Sequence, residues 1–427
     1  MKKQMLLLTM IIIFCVGART VYSQGGSWVE KENMSVARNF MSTGVVNGIV
    51  YSIGGSLDPY TSTSDVEAYD AATDSWTSKA DLPQKLCGTT AGTVNDKIYV
   101  VGGGTFLHGG ANGYVVDSVY EYNPVSNSWT RKSNIPTPLY LAAADVVNGK
   151  IYVIGGAPHG AQSAYKTVYE YNPATDTWTK KSDMPTARFN HSATTVDGKI
   201  YVFGGSQTFS SPSVLSEVEA YDPATDKWTT KSRMRHPRAT HATSLDNGKI
   251  YVIGGMLAAG TDGPWPPYAI VDEYDPILDA WAMKPSTHTE RWGLAARTVG
   301  GKIYTFGGAD LWSNRLSTVE EYDPAVDITS VGESNNPSLP VEYSLSQNYP
   351  NPFNPTTTIE FSVPRSSYVT LKVFSFLGEE VATLAGQDFT AGSYRVAWNP
   401  KDVASGVYVY RLVAGSFVET KKMLLLR

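Results

Sequence analysis

The sequence predicts an all-β fold in which six repeats are followed by a small, immunoglobulin-like antiparallel β-sandwich. Three observations support this prediction. The 427-residue chain is rich in glycine (38 residues) and tyrosine (26 residues), which is typical of many short strands joined by tight turns. Apolar strands that end in a Gly-Gly doublet recur six times, at spacings of 48 to 53 residues. Beyond residue 342 the pattern changes to longer alternating runs, which indicates a second domain.

The first 23 residues have the features of a secretory signal peptide. A positive start, "MKK", precedes the apolar run "MLLLTMIIIFCVGA", and "VYS" places small residues before Gln24. This run is shorter than the roughly 20 apolar residues that span a bilayer, so no transmembrane helix is expected in the mature chain. Cleavage would leave Cys87 as the only cysteine, which excludes a disulfide framework.

The charge of the chain excludes one class of partner. The formal net charge is −5, and no block of basic residues stands out. A protein of this balance has no electrostatic attraction for phosphate backbones or anionic membrane surfaces. We therefore expect no nucleic-acid partner.

The six repeats share the same order of residues. A tyrosine stands three residues before each doublet, a second tyrosine follows it, and a tryptophan comes seven residues later in five repeats. The tryptophans are Trp76, Trp129, Trp178, Trp228 and Trp281, whereas the sixth repeat has Thr329. The pairs "NG", "DG" and "GG" between short strands tolerate positive φ and predict hairpins. The aromatic rings supply large apolar faces between neighbouring sheets.

This pattern resembles kelch repeats throughout residues 28–330. The resemblance implies that each repeat is a four-stranded blade and that the blades close into a β-propeller. The sixth repeat lacks its tryptophan, while Trp28 belongs to no repeat and precedes Trp76 by 48 residues. We therefore predict a six-bladed propeller over residues 24–329, in which "SWVEKEN" is the fourth strand of the sixth blade. A disordered leader is the alternative interpretation.

The C-terminal part carries a set of motifs after a polar linker at residues 330–341. Within residues 342–427 these motifs are "NYPNPFNP" at 348–355, Gly378 after an apolar strand, "ASGVYVYRL" from Ala404, and a basic-apolar end at 421–424. Together they resemble the type A C-terminal sorting domain of the type IX secretion system. The resemblance implies that this domain engages the secretion machinery, which passes the chain from the periplasm across the outer membrane of a Gram-negative bacterium to its surface. A carbohydrate-binding or adhesion sandwich is the alternative.

Loop lengths predict which face of the propeller binds a ligand. The turns between the first and second strands and between the third and fourth strands are short, whereas the second-to-third loops and the connections between blades are long and variable. Binding residues are commonly placed on such loops. The predicted ligand-binding residues around the channel mouth on this wide face are Arg38, Arg188, His191, Arg238, His241, Arg291, Trp265 and Trp312.

Each of these residues has a second interpretation. A guanidinium group pairs with carboxylates, which suits an acidic sugar or an acidic protein loop. The same arginines could instead bond backbone carbonyls between blades. His191 and His241 could be metal ligands or buried core histidines, and the tryptophans, with Tyr268 and Tyr114, could stack on sugars or pack within loops.

Three function classes follow. The predicted function is a secreted binding or adhesion module for a glycan or protein ligand, with no cofactor or metal, and it is favoured over an enzyme because no complete catalytic constellation is present. The alternative is a sugar mutarotase that resembles the six-bladed sialic acid mutarotases of kelch type. A copper radical oxidase of kelch type would need a cysteine crosslinked to a tyrosine, and Cys87 in "QKLCGTT" has no tyrosine–histidine arrangement near it in the sequence.

Overall fold

The structure, a computed structural model, describes residues 24–25, 28–105, 114–158, 163–208, 214–256, 267–324, 326–330, 340, 342–389, 391–400 and 403–426. The predicted signal peptide, most of the predicted linker and Trp265 lie outside these residues. The described part contains six four-stranded sheets of one pattern and two further sheets that form a sandwich, which confirms the predicted fold class. No helix in this part is long and apolar enough to cross a membrane.

Two short strands precede the first blade. All six blades are antiparallel, and in the first five the strands follow chain order from the channel outward. These two strands and those of the first three blades are β1 Gln24–Gly25 and β2 Trp28–Lys31; β3 Ser42–Val46, β4 Ile49–Ile53, a small loop hairpin of β5 Ser56–Asp58 and β6 Thr61–Ser62, β7 Val66–Asp70 and β8 Ser75–Ser78; β9 Thr90–Val94, β10 Lys97–Val101, β11 Val119–Asn123 and β12 Ser128–Lys132; β13 Ala143–Val147, β14 Lys150–Ile154, β15 Val168–Asn172 and β16 Thr177–Lys181.

The remaining blades repeat this order. Their strands are β17 Ser192–Val196, β18 Lys199–Phe203, β19 Val218–Asp222 and β20 Lys227–Lys231; β21 Ala242–Asp246, β22 Lys249–Ile253, β23 Val271–Asp275 and β24 Ala280–Lys284; β25 Ala295–Val299, β26 Lys302–Phe306 and β27 Val319–Tyr322. The first strand of every blade contacts the first strand of the next, and β25 contacts β3, so the inner strands form a closed ring around a channel.

The sixth blade takes its outer strand from the start of the chain. Strand β2 pairs antiparallel with β27, with Trp28 opposite Tyr322. Trp28 is 2% exposed, stacks on Tyr322 with ring centroids 5.2 Å apart, and donates from Nε1 to the carbonyl of Pro285 at 2.8 Å. The other five blades make the same bond to the preceding blade, from Trp76 to Glu32, Trp129 to Ala80, Trp178 to Ser133, Trp228 to Ser182 and Trp281 to Ser232. Trp28 therefore supplies the sixth copy of this contact.

The Gly-Gly doublets mark places where neighbouring blades approach closely. Gly204 has φ +54°, and a Cβ there would lie 2.4 Å from the carbonyl oxygen of Arg238 in the next blade. Gly205 donates its N–H to that same carbonyl at 2.9 Å. No larger residue fits such an approach in a left-handed conformation, which explains why glycine recurs at this point.

The C-terminal strands form two facing sheets. These strands are β28 Val326–Ser330, β29 Ser344–Leu345, β30 Thr357–Val363, β31 Ser367–Ser375, β32 Glu380–Phe389, β33 Gly392–Trp398, β34 Gly406–Ala414 and β35 Phe417–Leu425. The sheet orders are β1-β28-β33-β30-β29 and β32-β31-β34-β35. The predicted propeller boundary at residue 329 thus falls within β28, a strand that pairs with the sandwich.

The "NYPNPFNP" motif fastens the sandwich together. Buried Asn348 donates its backbone N–H to the hydroxyl of Tyr410 at 2.8 Å, and its Nδ2 donates to the hydroxyl of Thr357 at 2.8 Å. Phe353 packs against Trp398 in the core. The motif therefore has a structural role within the domain.

Candidate functional site

The four predicted arginines are fully buried behind the channel mouth. Arg188 pairs through Nη2 with the carboxylate of Glu219 at 2.7 Å and donates from Nη1 to the carbonyl of Gly204 at 2.9 Å. Burial lowers the pKa of the Arg188 guanidinium, and the nearby carboxylates partly offset this effect. The equivalent ion pairs are Arg38–Glu67 at 2.8 Å, Arg291–Glu320 at 2.8 Å, and Arg238–Asp272.

Each arginine connects two blades. The backbone carbonyl of Arg188 accepts a hydrogen bond from the N–H of Gly156 at 2.9 Å, and its backbone N–H donates to the carbonyl of Tyr165 at 3.0 Å. Both of these residues belong to the third blade. Its side chain binds the fourth blade through Glu219. Arg38 does the same between the sixth and first blades, where the ring closes. The geometry therefore favours the interpretation of these arginines as supports between blades.

The structure gives these four arginines no exposed surface from which to contact a ligand directly, so their predicted direct role in ligand binding stays a prediction that this placement does not support. The guanidinium group of Arg188, for example, has no exposed surface, and its two terminal nitrogens already donate to carbonyl and carboxylate oxygens. Each buried arginine needs its carboxylate partner, because a buried charge without a partner destabilises the fold. The arginines thus position the mouth and do not line it.

A comparison of equivalent positions across the repeats, which the sequence analysis did not make, also indicates that the arginines connect blades. In the second and third blades the arginine position holds Leu86 and Leu139, and the acid position in the third strand holds Tyr120 and Tyr169. Each leucine belongs to the same apolar cluster as its tyrosine. At these two positions, four blades therefore hold an arginine paired with an acid, and the other two blades hold a leucine packed against a tyrosine.

Six residues with left-handed backbones form a ring at the channel mouth. Their φ angles lie between +52° and +64°, and each N–H donates to the carbonyl of the preceding ring member at 2.8 to 2.9 Å. The ring members are Phe40, Gly88, Leu141, Asn190, Thr240 and Gly293. Because this backbone ring narrows the channel, the cavity next to it measures only about 90 Å³.

The two predicted histidines lie just beneath this ring. His191 and His241 line the small cavity but are buried, and Nε2 of His241 lies 2.8 Å from the hydroxyl of Ser192. Burial, together with the charges of Arg238 and Arg188, lowers the pKa of His241 to about 3, and burial also lowers the pKa of His191 far below its usual value. Both rings are therefore neutral at physiological pH. Within the described residues, no group of three metal-ligating side chains comes together.

Exposed aromatic side chains lie on the long-loop face, above the ring. Trp312 is 77% exposed, Tyr60 is 66% exposed and Tyr114 is 54% exposed. They belong to the second-to-third loops of the sixth, first and second blades, which are consecutive around the ring. We call these three residues the aromatic arc. Trp312 was predicted as a binding residue, whereas Tyr60 was not.

Hydrogen bonds fix the backbone beneath each aromatic residue. Trp312 donates its N–H to Asp310 at 2.9 Å, and Tyr60 donates to Asp58 at 2.7 Å. The N–H of Tyr114 donates to the hydroxyl of Thr105 at 3.2 Å. These local bonds fix the backbone at the three aromatic residues themselves.

A half-buried cation lies beside the arc. The guanidinium of Arg315 stands 5.9 Å from the centre of the Trp292 ring and donates to the carbonyl of Ser313 at 2.6 Å. Burial lowers the pKa of Arg315, and the carboxylate of Asp58 raises it. The surface between the sixth and first blades thus combines aromatic rings with one positive and one negative group.

Cys87 has the environment of a core residue. It is buried among Tyr140, Leu141, Ala157 and Phe189, and burial raises the pKa of its thiol to about 11. A thiol with such a pKa is a poor nucleophile.

Comparison with known families agrees with this architecture. The family model described as "KLHDC2/KLHL20/DRC7 Kelch-repeats domain" matches residues 88–308, which is more than half of the 427 residues. The chain belongs to the kelch-repeat family. A second family model, the Kelch motif, matches residues 37–83 and 293–327, so kelch sequence features extend to both sides of the ring closure.

Curated kelch proteins resemble segments of this chain. Beta-scruin of Limulus polyphemus is 31% identical over 131 residues, which cover 30% of this chain and 14% of that protein. The Kelch-like protein terF of Aspergillus terreus is 28% identical over 149 residues, covering 33% of this chain and 32% of that protein. The chain thus spans less than a third of either relative. A solved structure titled "Structure of YjhT" shares the fold, with a TM-score of 0.58 and 18% identity over 70% of this chain and 97% of that chain.

The C-terminal domain also matches a known family. The model described as "Secretion system C-terminal sorting domain" matches residues 347–426, which confirms the predicted sorting domain. The protein is therefore a kelch module that its sorting domain marks for secretion.

Proposed function

We propose that this kelch propeller is a binding module, displayed on the surface of a Gram-negative bacterium, that holds a glycan or protein ligand on the aromatic arc. The observation behind the proposal is the exposure of Tyr60, Tyr114 and Trp312 on three consecutive blades. Tyrosine, tryptophan and arginine are the residues most enriched at binding hot spots. Aromatic faces also stack on the apolar faces of sugar rings.

The hydrogen-bonded backbone at the three aromatic residues supports the proposal. Because hydrogen bonds to Asp310, Asp58 and Thr105 already hold the backbone N–H groups of the three aromatic residues, a ligand would not have to order these backbone positions on binding. Arg315 and Asp58 next to the rings would add polar contacts that orient the ligand. A rigid aromatic surface with a few polar groups suits recognition and needs no catalytic residues.

The alternative function, a sugar mutarotase, rested on an exposed mouth of arginines and histidines. In this chain those arginines are ion-paired within the protein and the two histidines are buried and neutral. We therefore favour binding over catalysis at the mouth. An anomer-exchange assay on acidic sugars checks this choice, because turnover there would support the alternative.

The test uses the chain from residue 24 onward, labelled and applied to glycan and peptide arrays. A triple variant, Tyr60→Ala with Tyr114→Ala and Trp312→Ala, should lower the affinity for the ligand that the array identifies by at least about tenfold, which corresponds to about 1.4 kcal/mol.

A matched control replaces two exposed apolar residues in the short turns on the opposite face, Val125→Ala and Ile277→Ala. The control should bind as the parent does, and both variants should keep the parent's melting temperature, since all of the replaced side chains are exposed. Parental affinity in the triple variant would refute the proposal.

A further inference from the structure

The channel contains two residues of opposite charge that are not part of the mouth described above. Asp145 and Arg297 occupy the third position of the inner strands β13 and β25. At this position the other blades have the small or hydroxyl residues Gly44, Gly92, Thr194 and Ser244. The third and sixth blades lie opposite each other in a ring of six, so the two charged residues stand on opposite walls.

Both residues line a cavity within the channel. Its volume is about 450 Å³, which is within the range of small-molecule sites. Hydroxyl groups make up much of the remaining wall, among them those of Thr93, Thr195 and Thr298. The cavity follows the inner strands away from the backbone ring, where only about 90 Å³ is available, so we expect access from the face of the short turns.

Backbone contacts hold each charge in place and leave it facing the cavity. The carboxylate of Asp145 accepts the N–H of Val146 at 2.8 Å and of Thr195 at 2.6 Å. Arg297 donates from Nη2 to the carbonyl of Thr43 at 2.6 Å and from Nη1 to its neighbour Ala296 at 3.0 Å. Both side chains are partly buried.

Asp145 and Arg297 interact electrostatically but do not form a contact ion pair. Burial raises the pKa of Asp145 and lowers the pKa of Arg297, and each charge weakens the shift of the other. Among the described residues, neither forms a salt bridge, in contrast to the contact pair of Arg188 and Glu219. A buried charge without a contact partner is costly, and a ligand that meets both charges would remove part of this cost.

We propose that the channel is a second binding site, separate from the aromatic arc, for a small carboxylate whose far end carries a hydrogen-bond donor. The guanidinium of Arg297 binds the carboxylate, for which its planar fork is suited. Asp145 accepts the hydrogen bond from the far end, and the threonine hydroxyls contact the middle of the ligand. The donor is either a hydroxyl, as in a sugar acid, or an ammonium, as in a short peptide.

Calorimetric titration of the chain from residue 24 onward tests this site. The probes are D-glucuronate for the hydroxyl class and glycylglycine for the ammonium class, with D-glucose and ethanolamine as probes that lack the carboxylate. At least one carboxylate probe should bind with a dissociation constant below about 10 mM, and the other two should not bind. Absence of binding by both carboxylate probes would overturn the proposal.

Variants taken from the other blades locate the binding. Arg297→Ser and Asp145→Thr introduce residues that the fifth and fourth blades hold at the same position, and each should weaken binding by at least about tenfold. Asp145→Asn keeps the shape of the side chain and should weaken glycylglycine more than glucuronate. Parental affinity in the Arg297 and Asp145 variants would place the binding elsewhere and contradict the site.

The aromatic arc serves as the control that separates the two proposals. The triple variant of Tyr60, Tyr114 and Trp312 should bind the small carboxylate as the parent does. Loss of binding in that variant, with normal binding in Arg297→Ser, would refute the channel site and leave the arc as the site.

Discussion

Exchanging Arg188 for leucine should destabilise the propeller strongly although leucine is the residue that the second and third blades hold at this position. The change leaves the carboxylate of Glu219 buried without its partner 2.7 Å away, and it removes hydrogen bonds to the carbonyls of Gly204 and Glu217. Breaking a buried ion pair in this way costs about 3–5 kcal/mol. For a propeller of about 300 residues, that cost corresponds to a fall in melting temperature of roughly 5–8 °C.

The other blades also provide the compensating change. In the double variant Arg188→Leu with Glu219→Tyr, the fourth blade would hold the pair that the third blade holds as Leu139 and Tyr169. Replacing both members of a buried ion pair with well-packed apolar groups is often neutral. The double variant should therefore recover to within about 1 kcal/mol of the parent, with a coupling energy above about 2 kcal/mol.

Thermal and guanidinium unfolding followed by circular dichroism measures all four members of this cycle. The reasoning would be refuted by either of two results: a single Arg188→Leu variant as stable as the parent, or a double variant no more stable than the weaker single variant. The first result would mean that the ion pair contributes nothing. The second would mean that the two positions do not compensate one another.

Three further predictions concern closure, pH and export. Trp28→Ala should cost about 3–5 kcal/mol in chemical unfolding and more than Trp178→Ala, whose ring is only half-buried. The folded-state pKa values of His191 and His241 lie below the unfolded value of about 6.5, so the unfolded state binds protons first as pH falls. Each histidine should therefore lower the unfolding free energy by about 1.4 kcal/mol per pH unit below that value. Between pH 6 and 5, the unfolding free energy of His241→Leu should fall less steeply than that of the parent, and equal slopes would contradict this. Deleting residues 342–427 should leave a folded propeller in the periplasm, and surface display of the truncated chain in cell fractionation would contradict the assigned role of the sorting domain.

The repeats made the fold predictable from sequence. Tyrosine, tryptophan and glycine recur at fixed spacing because every blade packs on its neighbour through the same contacts, such as the bond from Trp76 to Glu32. The missing sixth tryptophan and the unassigned Trp28 identified the strand that the structure places in the last blade. Six copies of one unit provide internal comparisons that a single domain would not.

The role of the site residues was not predictable from spacing alone. Spacing places Arg188 in a connection between blades but does not say whether its side chain faces the channel or its own blade, because the acid that decides this lies in another strand, at Glu219. Comparing the two positions across repeats would have found the pair. Asp145 and Arg297 left no repeated signal, since each occurs once among six equivalent positions and only ring closure brings them to opposite walls.

Hydrogen–deuterium exchange of the chain with and without the ligand found on the array tests the central claim that ligand binding occurs on the aromatic arc. Protection should appear in the loops around Tyr60, Tyr114 and Trp312, while the short turns around Val125 and Ile277 on the opposite face exchange as before. Protection of those short turns, with the three loops unchanged, would contradict the claim.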